Sequence, residues 1–305
     1  MSEADARQIL CLDRGWLFHR GDIESPVPHT HIAAYMNHKA GWARGAARYN
    51  YDDSDWRTVD LPHDWSIECA PSPENHPNQG FLPRGVSWYR RYFHLDESDR
   101  GKRLAIQFDG VATHATVYVN GHLLRRHFNG YTPFTIEMAD VANFGPQVNV
   151  VAVRVDAGYM EGWWYEGAGI YRHAWLIKTG PVHVDTFGVY ACPERLSQTD
   201  WNTRIQTTLV NATSAAVTCE LRSRLLDPAG HAVGETRSDT TIDARQSAVL
   251  EQNIPVQSPA LWSLQDRNLY RIRTEVFVGG RRVDTLHTTF GYRTIRFDPD
   301  AGFFL

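Results

Sequence analysis

Hydrophobic and polar residues alternate along much of the chain, and this alternation predicts β-strands. In the stretch LAIQFDG, the residues Leu104, Ile106 and Phe108 fall on one face, and the segment 115–119 repeats the pattern. Side chains in a strand point alternately to opposite faces, so a period of two indicates a strand with one buried face. We therefore predict a strand in each of these two segments.

The stretch QVNVVAVRVD is apolar on both faces, because Val150 and Ala152 lie opposite the valines of the other face. This pattern is typical of a central strand that is covered on both sides. Asn120-Gly121 follows directly after a strand and predicts a type I′ turn, since both central residues of that turn need positive φ. Before residue 180 no stretch shows a convincing helical period with capping residues, so we expect helix to be a minor component.

From Val182 onward the sequence predicts a second series of short strands with a turn between each pair. Apolar residues alternate with more polar ones in 217–226, and Gly279-Gly280 predicts a tight hairpin between the last two strands. Six or seven strands are the number expected of an immunoglobulin-like sandwich, although the Cys-Trp-Cys pattern of antibody domains is missing. We predict an all-β fold, with one domain in 1–180, a second in 181–293 and a boundary at Gly180-Pro181.

The segment 19–50 is the least regular part of the chain and is rich in Gly, His and Pro. Its His29 and His31 have the spacing of two metal ligands, but no third ligand stands at a recognisable interval. We interpret both as solvated loop histidines and expect no metal site here.

Composition and charge narrow the possible functions. Lys and Arg total 31 against 35 Asp and Glu, which gives a formal net charge of −4 without a basic block, so neither a nucleic acid nor a membrane surface is an expected partner. The four cysteines are far apart and predict free thiols rather than a zinc site, and no cofactor is indicated. The first ten residues lack the features of a signal peptide and no apolar run approaches the ~20 residues of a transmembrane helix, so we expect a cytoplasmic protein.

Aromatic residues cluster beside acidic residues, a combination suited to binding sugars. The stretch EGWWYEGAGIYR (161–172) places Trp163, Trp164 and Tyr165 between Glu161 and Glu166. A sugar ring offers an apolar C–H face to an aromatic ring and donates its hydroxyl protons to carboxylates. Three large side chains in a row in an extended segment point to alternate faces, so at least one of them should face solvent. Five other tryptophans are instead predicted to pack in the cores: Trp16, Trp42, Trp56, Trp88 and Trp262.

Five ordered motifs resemble landmarks of glycoside hydrolase family 2, which contains β-galactosidases, β-glucuronidases and β-mannosidases. They are WRTVDLPHDWSIE at 56–68, SWYRRYFHL at 87–95, FDGVATHATVYVNG at 108–121, WYEGAGIYRHAWL at 164–176 and LWSLQDRNLYRIRTEV at 261–276. The resemblance implies a jelly-roll, galactose-binding-like sugar-binding domain, then an immunoglobulin-like domain, then a catalytic (β/α)₈ barrel.

The resemblance also implies that the catalytic residues are absent from this chain. The segment 294–305 resembles the start of the passage into the barrel, and two sandwiches leave no room for a barrel of ~250 residues. Family members carry both catalytic glutamates on the barrel, so we predict no catalytic residue here. Glu161 and Glu166 are not expected to act as a substitute pair, because nothing fixes their separation or divides the acid and nucleophile roles between them.

The resemblance places the segment 161–166 where a loop completes the pocket around the terminal sugar. Several relatives have a substrate-binding aspartate six residues before the glycine of GIYR, and the corresponding residue here is Trp163. Glu161 is a candidate for the missing acceptor, with Trp163 or Trp164 stacking on a ring, and Glu166 and Asp64 are further candidates. The alternative role for Asp64 is to cap a turn beside a buried Trp65. Arg172 is predicted to pair with an acid beneath the loop.

Three functions remain open at this stage. The preferred one is the non-catalytic amino-terminal part of a β-galactosidase-like hydrolase, inactive without its barrel; part of a β-glucuronidase or β-mannosidase is a variant of it. The alternatives are a free-standing carbohydrate-binding module and a structural module that forms a homo-oligomer.

Overall fold

The structure, a computed structural model, describes residues 7–24 and 29–305. The chain divides into two compact units. We call residues 8–178 the first sandwich, and residues 179–305 together with Arg7 the second sandwich. Arg7 groups with the second unit, where its guanidinium pairs with the buried carboxylate of Asp284 at 2.9 Å.

The first sandwich consists of a four-stranded and a six-stranded antiparallel sheet. In chain order its strands are β1 (Gln8–Cys11), β2 (Trp16–Arg20), β3 (Arg57–Val59), β4 (Val86–His94), β5 (Arg103–Phe108), β6 (His114–Val119), β7 (His122–His127), β8 (Phe134–Glu137), β9 (Val148–Asp156) and β10 (Ala174–Thr179). The sheet orders are β1-β10-β5-β8 and β3-β2-β4-β9-β6-β7. Strand β10 extends one residue beyond the unit, to Thr179.

One apolar core joins the two sheets of the first sandwich, and the alternating residues of the sequence supply it. Leu104, Ile106 and Phe108 are fully buried, as predicted, and pack with valines of β6 and β9. Strand β9 lies between β4 and β6, which confirms that it is a central strand. The predicted turn after β6 is also confirmed, with φ of 51° at Asn120 and 78° at Gly121.

A segment before β3 covers the outer face of the six-stranded sheet, where Ala46 and Ala47 pack against Trp56 and Trp88. This segment begins with the helix α1 (His31–His38), which the side chain of Thr30 caps by accepting from the amide of Ala33. The interpretation of His31 as a loop residue is therefore wrong, because it is the first residue of a capped helix that is too short to show a clear helical period.

Most of the predicted core tryptophans are buried, but two are not. Trp16, Trp56 and Trp88 lie in the core, with exposures of 0%, 7% and 3%. Trp42 is 68% exposed, so the prediction of core packing is wrong for it. Trp262 is half-buried, and the guanidinium of Arg293 lies 5.1 Å from the centroid of its ring.

The second sandwich has a three-stranded and a four-stranded antiparallel sheet, β11-β12-β15 and β14-β13-β16-β17. Its strands are β11 (Val182–Arg195), β12 (Asp200–Asn211), β13 (Val217–Leu226), β14 (Ala232–Ile242), β15 (Gln246–Gln257), β16 (Tyr270–Val278) and β17 (Arg281–Phe290), followed by the hairpin β18 (Arg296–Asp298) and β19 (Gly302–Phe304). Seven strands in two packed sheets agree with the predicted immunoglobulin-like architecture, and Gly279-Gly280 joins β16 to β17 as expected. No helix of the described residues is long and apolar enough to cross a membrane.

Candidate carbohydrate-binding site

A loop at one end of the first sandwich carries most of the candidate residues. It follows β9 and returns toward β10, and we call residues 158–165 the aromatic loop. Its return is fixed by paired backbone hydrogen bonds of 2.9 and 3.0 Å between Ala112 and Gly169. At Gly169 a Cβ atom would lie 2.4 Å from the carbonyl oxygen of His63 and 2.4 Å from the hydroxyl of Tyr89, so only glycine fits this approach.

The three consecutive aromatic residues all reach the surface. Trp163 is 88% exposed, Trp164 is 58% exposed and Tyr165 is 38% exposed, which confirms that at least one of them faces solvent. The indole of Trp164 donates a hydrogen bond to the hydroxyl of Tyr131 at 2.6 Å. Trp163 therefore offers a free ring face, while hydrogen bonds orient the rings of its two neighbours.

Glu166 lies beneath the aromatic loop rather than on it. Its side chain is 1% exposed, and its carboxylate pairs with Arg84 at 2.6 Å. The same carboxylate accepts from the backbone amide of Glu161, while Gln79 bonds both the amide of Glu166 and the carbonyl of Trp164. Arg84 also donates to the carbonyls of Ala157 and Tyr159. Glu166 thus stabilises the shape of the loop from below.

Glu161 keeps its carboxylate at the surface. One of its oxygens lies 2.7 Å from Nε2 of His114, and the side chain remains 40% exposed. Phe128 and Tyr159 pack around the ring of His114, with centroids 5.3 and 6.4 Å away. An acidic acceptor therefore stands beside exposed aromatic rings, and among the residues that the structure describes none donates to its second oxygen, which can accept from a sugar hydroxyl.

Asp64 has the capping role that the sequence left open, and it also contacts the loop. One of its oxygens caps the short 3₁₀ helix Trp65–Glu68 by accepting from Ser66 and accepts in addition from the amide of Ala168 at 3.0 Å. The other oxygen accepts from the hydroxyl of Tyr165 at 2.7 Å. Burial, and then the hydrogen bond to Asp64, raise the pKa of Tyr165, so its hydroxyl stays protonated as a donor.

Beside Asp64, a buried histidine supports the base of the loop. His63 has its Nδ1 2.7 Å from the hydroxyl of Tyr89 and its Nε2 3.1 Å from a carboxylate oxygen of Glu68. Burial lowers the pKa of His63, although Glu68 opposes the shift. The backbone amide of His63 donates to the carbonyl of Ile170, next to Gly169.

Several residues of this site were not identified from the sequence. His114, Tyr131, Arg84 and Gln79 are remote from the aromatic loop along the chain, and only the fold brings them to it. The predicted partner of Arg172 is also wrong: within the described part of the chain it donates to the carbonyls of Asp109 and Tyr131 and to no carboxylate. Arg172 therefore binds backbone carbonyls instead of the predicted acid.

The arrangement can bind a sugar through an exposed ring and a carboxylate. Trp163 and Trp164 supply flat apolar faces, and Glu161 supplies an acceptor. Among residues 7–24 and 29–305 no group of three or more acidic, histidine or cysteine side chains could hold a metal ion.

Two family models match the chain along most of its length. Glycosyl hydrolases family 2, sugar binding domain, matches residues 47–180, and Glycosyl hydrolases family 2 matches residues 182–293. The chain belongs to glycoside hydrolase family 2, and it carries the sugar-binding jelly-roll and immunoglobulin-like domains of that family. The resemblance found in its motifs is confirmed.

Similar proteins include glycosidases of two specificities. A β-galactosidase of Bacteroides ovatus is 38% identical over 286 residues, which is 93% of this chain and 34% of that enzyme. A β-glucuronidase of Bacteroides fragilis is 29% identical over 265 residues, covering 82% of this chain and 37% of that enzyme. The crystal structure of a family 2 member from Bacteroides cellulosilyticus superposes with a TM-score of 0.81 at 32% identity, covering 97% of this chain and 38% of that one. The chain thus spans about a third of the length of these relatives.

Proposed function

We propose that this chain is the non-catalytic amino-terminal part of a retaining β-galactosidase-like enzyme and that its aromatic loop completes the substrate pocket of a catalytic barrel. The observation that carries the proposal is the construction of the loop. Trp163 is 88% exposed, yet the backbone around it is held by the buried pair of Glu166 and Arg84. A rigid support beneath an exposed aromatic ring favours binding, because little conformational freedom is lost when a ligand arrives.

In the proposed site the residues of the loop have separate roles. Trp163 stacks on the terminal sugar, Trp164 forms an adjoining wall and Glu161 accepts from a hydroxyl. Asp64 and Glu166 act indirectly, since Asp64 orients Tyr165 and Glu166 fixes the backbone. A β-galactoside is the proposed substrate class because the Bacteroides ovatus relative, at 38% identity, is a β-galactosidase.

The proposal predicts that the 305-residue chain has no glycosidase activity by itself. A retaining mechanism needs two carboxylates about 5–5.5 Å apart with different roles, and the carboxylate of Glu166 is already engaged by Arg84. Assays with chromogenic β-galactoside and β-glucuronide should show no turnover above background. Turnover that persists in the purified chain would contradict the proposal.

A chimera tests the role of the loop directly. The chain replaces the matching third of the Bacteroides ovatus β-galactosidase, and kcat/KM is measured for the unaltered chimera and for Trp163→Ala and Glu161→Gln. We expect each substitution to lower kcat/KM by about tenfold, the effect of losing roughly 1.4 kcal/mol of contact energy. Tyr190→Ala, an exposed aromatic residue of the second sandwich, is the matched control and should leave kcat/KM unchanged. Equal kcat/KM for Trp163→Ala and the control would exclude the loop from the pocket.

A free-standing carbohydrate-binding module is the second candidate, favoured by the 88% exposure of Trp163. It predicts that the isolated chain binds galactosides measurably in isothermal titration calorimetry. Flat heats together with an active chimera would favour the enzyme-part function over the binding module.

A further inference from the structure

A surface hollow on the first sandwich forms a second candidate binding site, separate from the aromatic loop. Its volume is about 550 Å³, and residues 41–45 and 48–50 line it. This size falls within the range of roughly 300–1,000 Å³ that is usual for small-molecule sites. We call this feature the arginine hollow, after Arg44 and Arg48 in its wall.

The backbone of the arginine hollow is held rigidly from beneath. Arg90 is fully buried and donates to the carbonyls of Ala46, Arg48 and Tyr49. Its guanidinium also pairs with Asp53 at 2.6 Å. The side chains that line the hollow are therefore carried by a fixed backbone, although they lie at the surface.

The exposed side chains of the hollow combine an aromatic ring with positive charge. Trp42 is 68% exposed, and Arg44 and Arg48 are also exposed. Within the described ranges 7–24 and 29–305, neither guanidinium has an ion-pair or hydrogen-bond partner. A partner from outside the protein can therefore engage both groups without first breaking a contact with any of the described residues.

The sequence around the hollow concentrates positive charge in a chain whose net charge is −4. Residues 25–51 contain Lys39, Arg44 and Arg48 and no Asp or Glu. Of the flanking acids, Asp53 is paired with Arg90, and Glu24, Asp52 and Asp55 do not line the hollow. The charged groups of the lining itself are therefore positive and favour an anion.

We propose that the arginine hollow binds an anionic sugar residue, carrying either a carboxylate or a sulfate ester. The ring of Trp42 packs against the C–H face of the sugar. The planar guanidinium groups of Arg44 and Arg48 match the geometry of a carboxylate or sulfate, and the Asn50 amide serves neighbouring hydroxyls. A neutral sugar would contact the ring of Trp42 without pairing with the guanidinium groups, and it would bind more weakly.

The hollow lies at the opposite end of β9 from the aromatic loop. The hydroxyl of Tyr49 donates to the carbonyl of Val148, the first residue of that strand, whereas the loop follows Asp156, its last residue. At ~3.3 Å per residue the two ends of β9 are about 26 Å apart. The proposed site is therefore distinct from the proposed substrate pocket and does not depend on it.

Calorimetric titration of the 305-residue chain tests this proposal. The ligands are oligogalacturonate, a sulfated galactan oligosaccharide and a neutral galactan oligosaccharide of matched length. We expect at least one anionic ligand to bind more than about tenfold tighter than the neutral one, which is at least 1.4 kcal/mol. We also expect its affinity to fall with added salt. Preference between the two anions identifies which charged group the hollow selects.

Substitutions locate the binding. Trp42→Ala, and Arg44→Gln combined with Arg48→Gln, should each weaken the anionic ligand at least tenfold. Arg14→Gln with Arg126→Gln removes the same charge from exposed positions elsewhere and should have little effect, as should Trp163→Ala. Unchanged thermal melting shows that each variant is folded. Absence of anionic binding, equal binding of the neutral ligand, or equal loss in the control double variant would each overturn the proposal.

Discussion

The aromatic loop and the arginine hollow are built on the same plan but present opposite chemistry. Beneath each lies an arginine that pairs with a carboxylate and donates to backbone carbonyls of the exposed segment: Arg84 with Glu166 under the loop, and Arg90 with Asp53 under the hollow. Above the first support the surface carries Glu161, and above the second it carries Arg44 and Arg48. In each region the buried ion pair fixes the backbone of the exposed segment. The charge that this segment carries at the surface is negative in one region and positive in the other.

The two supports differ in the number of backbone carbonyls that each arginine satisfies. Arg90 donates to three carbonyls, whereas Arg84 donates to two. Each carbonyl that loses its donor adds to the cost of a substitution. Substitution of Arg90 and of Arg84 should therefore lower the free energy of unfolding by different amounts.

The largest effect is expected from Arg90→Met, which leaves Asp53 unpaired and three carbonyls without their donor. We expect the free energy of unfolding to fall by about 3–5 kcal/mol, as measured by urea denaturation. Arg84→Met is the matched substitution, which leaves two carbonyls without their donor, and should lower it by about 1.5–3 kcal/mol. The reverse order would show that the number of carbonyls does not decide the cost.

Glu166→Gln should have a smaller and more local effect. The amide keeps the shape of the side chain but loses the charge that pairs with Arg84, so we expect a loss of about 1–3 kcal/mol. Hydrogen exchange should quicken at the amides of 157–167 and stay unchanged at 46–49. Glu161→Gln, whose carboxylate is at the surface, is the control and should change stability by less than about 0.5 kcal/mol. Faster exchange at 46–49 as well would mean that the two segments are coupled.

Lowering the pH to mildly acidic values should destabilise the base of the aromatic loop more than the arginine hollow. Burial lowers the pKa of His63 in the folded protein, so below its usual value of about 6.5 the unfolded chain binds more protons at this site. Its contribution to stability is therefore present at neutral pH and is lost as the pH falls through about 6.5. We expect a gradual loss of stability as the pH falls below neutral.

The measurement is urea denaturation at several pH values from neutral to mildly acidic. His63→Gln should flatten the pH dependence, whereas His231→Gln, at an exposed turn, should not. The segment 46–49 is supported by an arginine rather than a histidine, so exchange there should not respond. An unchanged pH profile in His63→Gln would assign the acid sensitivity to other groups.

The smallest effects on stability should come from the exposed rings themselves. Trp42→Ala and Trp163→Ala should each change the free energy of unfolding by less than about 0.5 kcal/mol, because both side chains are mostly exposed. Thermal melting checks this. A clear loss of stability at either position would mean that the ring packs within the protein and is not held free for a ligand.

The sequence predicted the strands that alternate strongly and missed the elements that do not. Leu104, Ile106 and Phe108 show the period of two because their strand has one face on the core. Strand β14 was not among the predicted segments, because it lies at a sheet edge and its inward positions 234, 236, 238 and 240 are Gly, Thr, Ser and Thr rather than apolar residues. The helix α1 was missed because its eight residues are too few for a clear helical period.

The sequence predicted the exposed residues of the candidate site but not the buried residues that support them. Three bulky residues in a row cannot all be buried, so exposure at 163–165 followed from local sequence alone. The role of Glu166 could not be predicted, because its partners Arg84 and Gln79 are 82 and 87 residues away. Trp42 was assigned to the core because its ring is large, but the buried residues beside it are alanines that already fill the space over the sheet.

The close approach at Gly169 makes the aromatic loop suitable for exchange as a cassette. The backbone on either side of the loop is fixed by contacts that do not involve the side chains of 158–165. Arg84 donates to the carbonyl of Ala157, and Gly169 lies against the carbonyl oxygen of His63. A replacement loop grafted between these anchors would keep both contacts. Redesign of this surface can begin with that one replaceable segment.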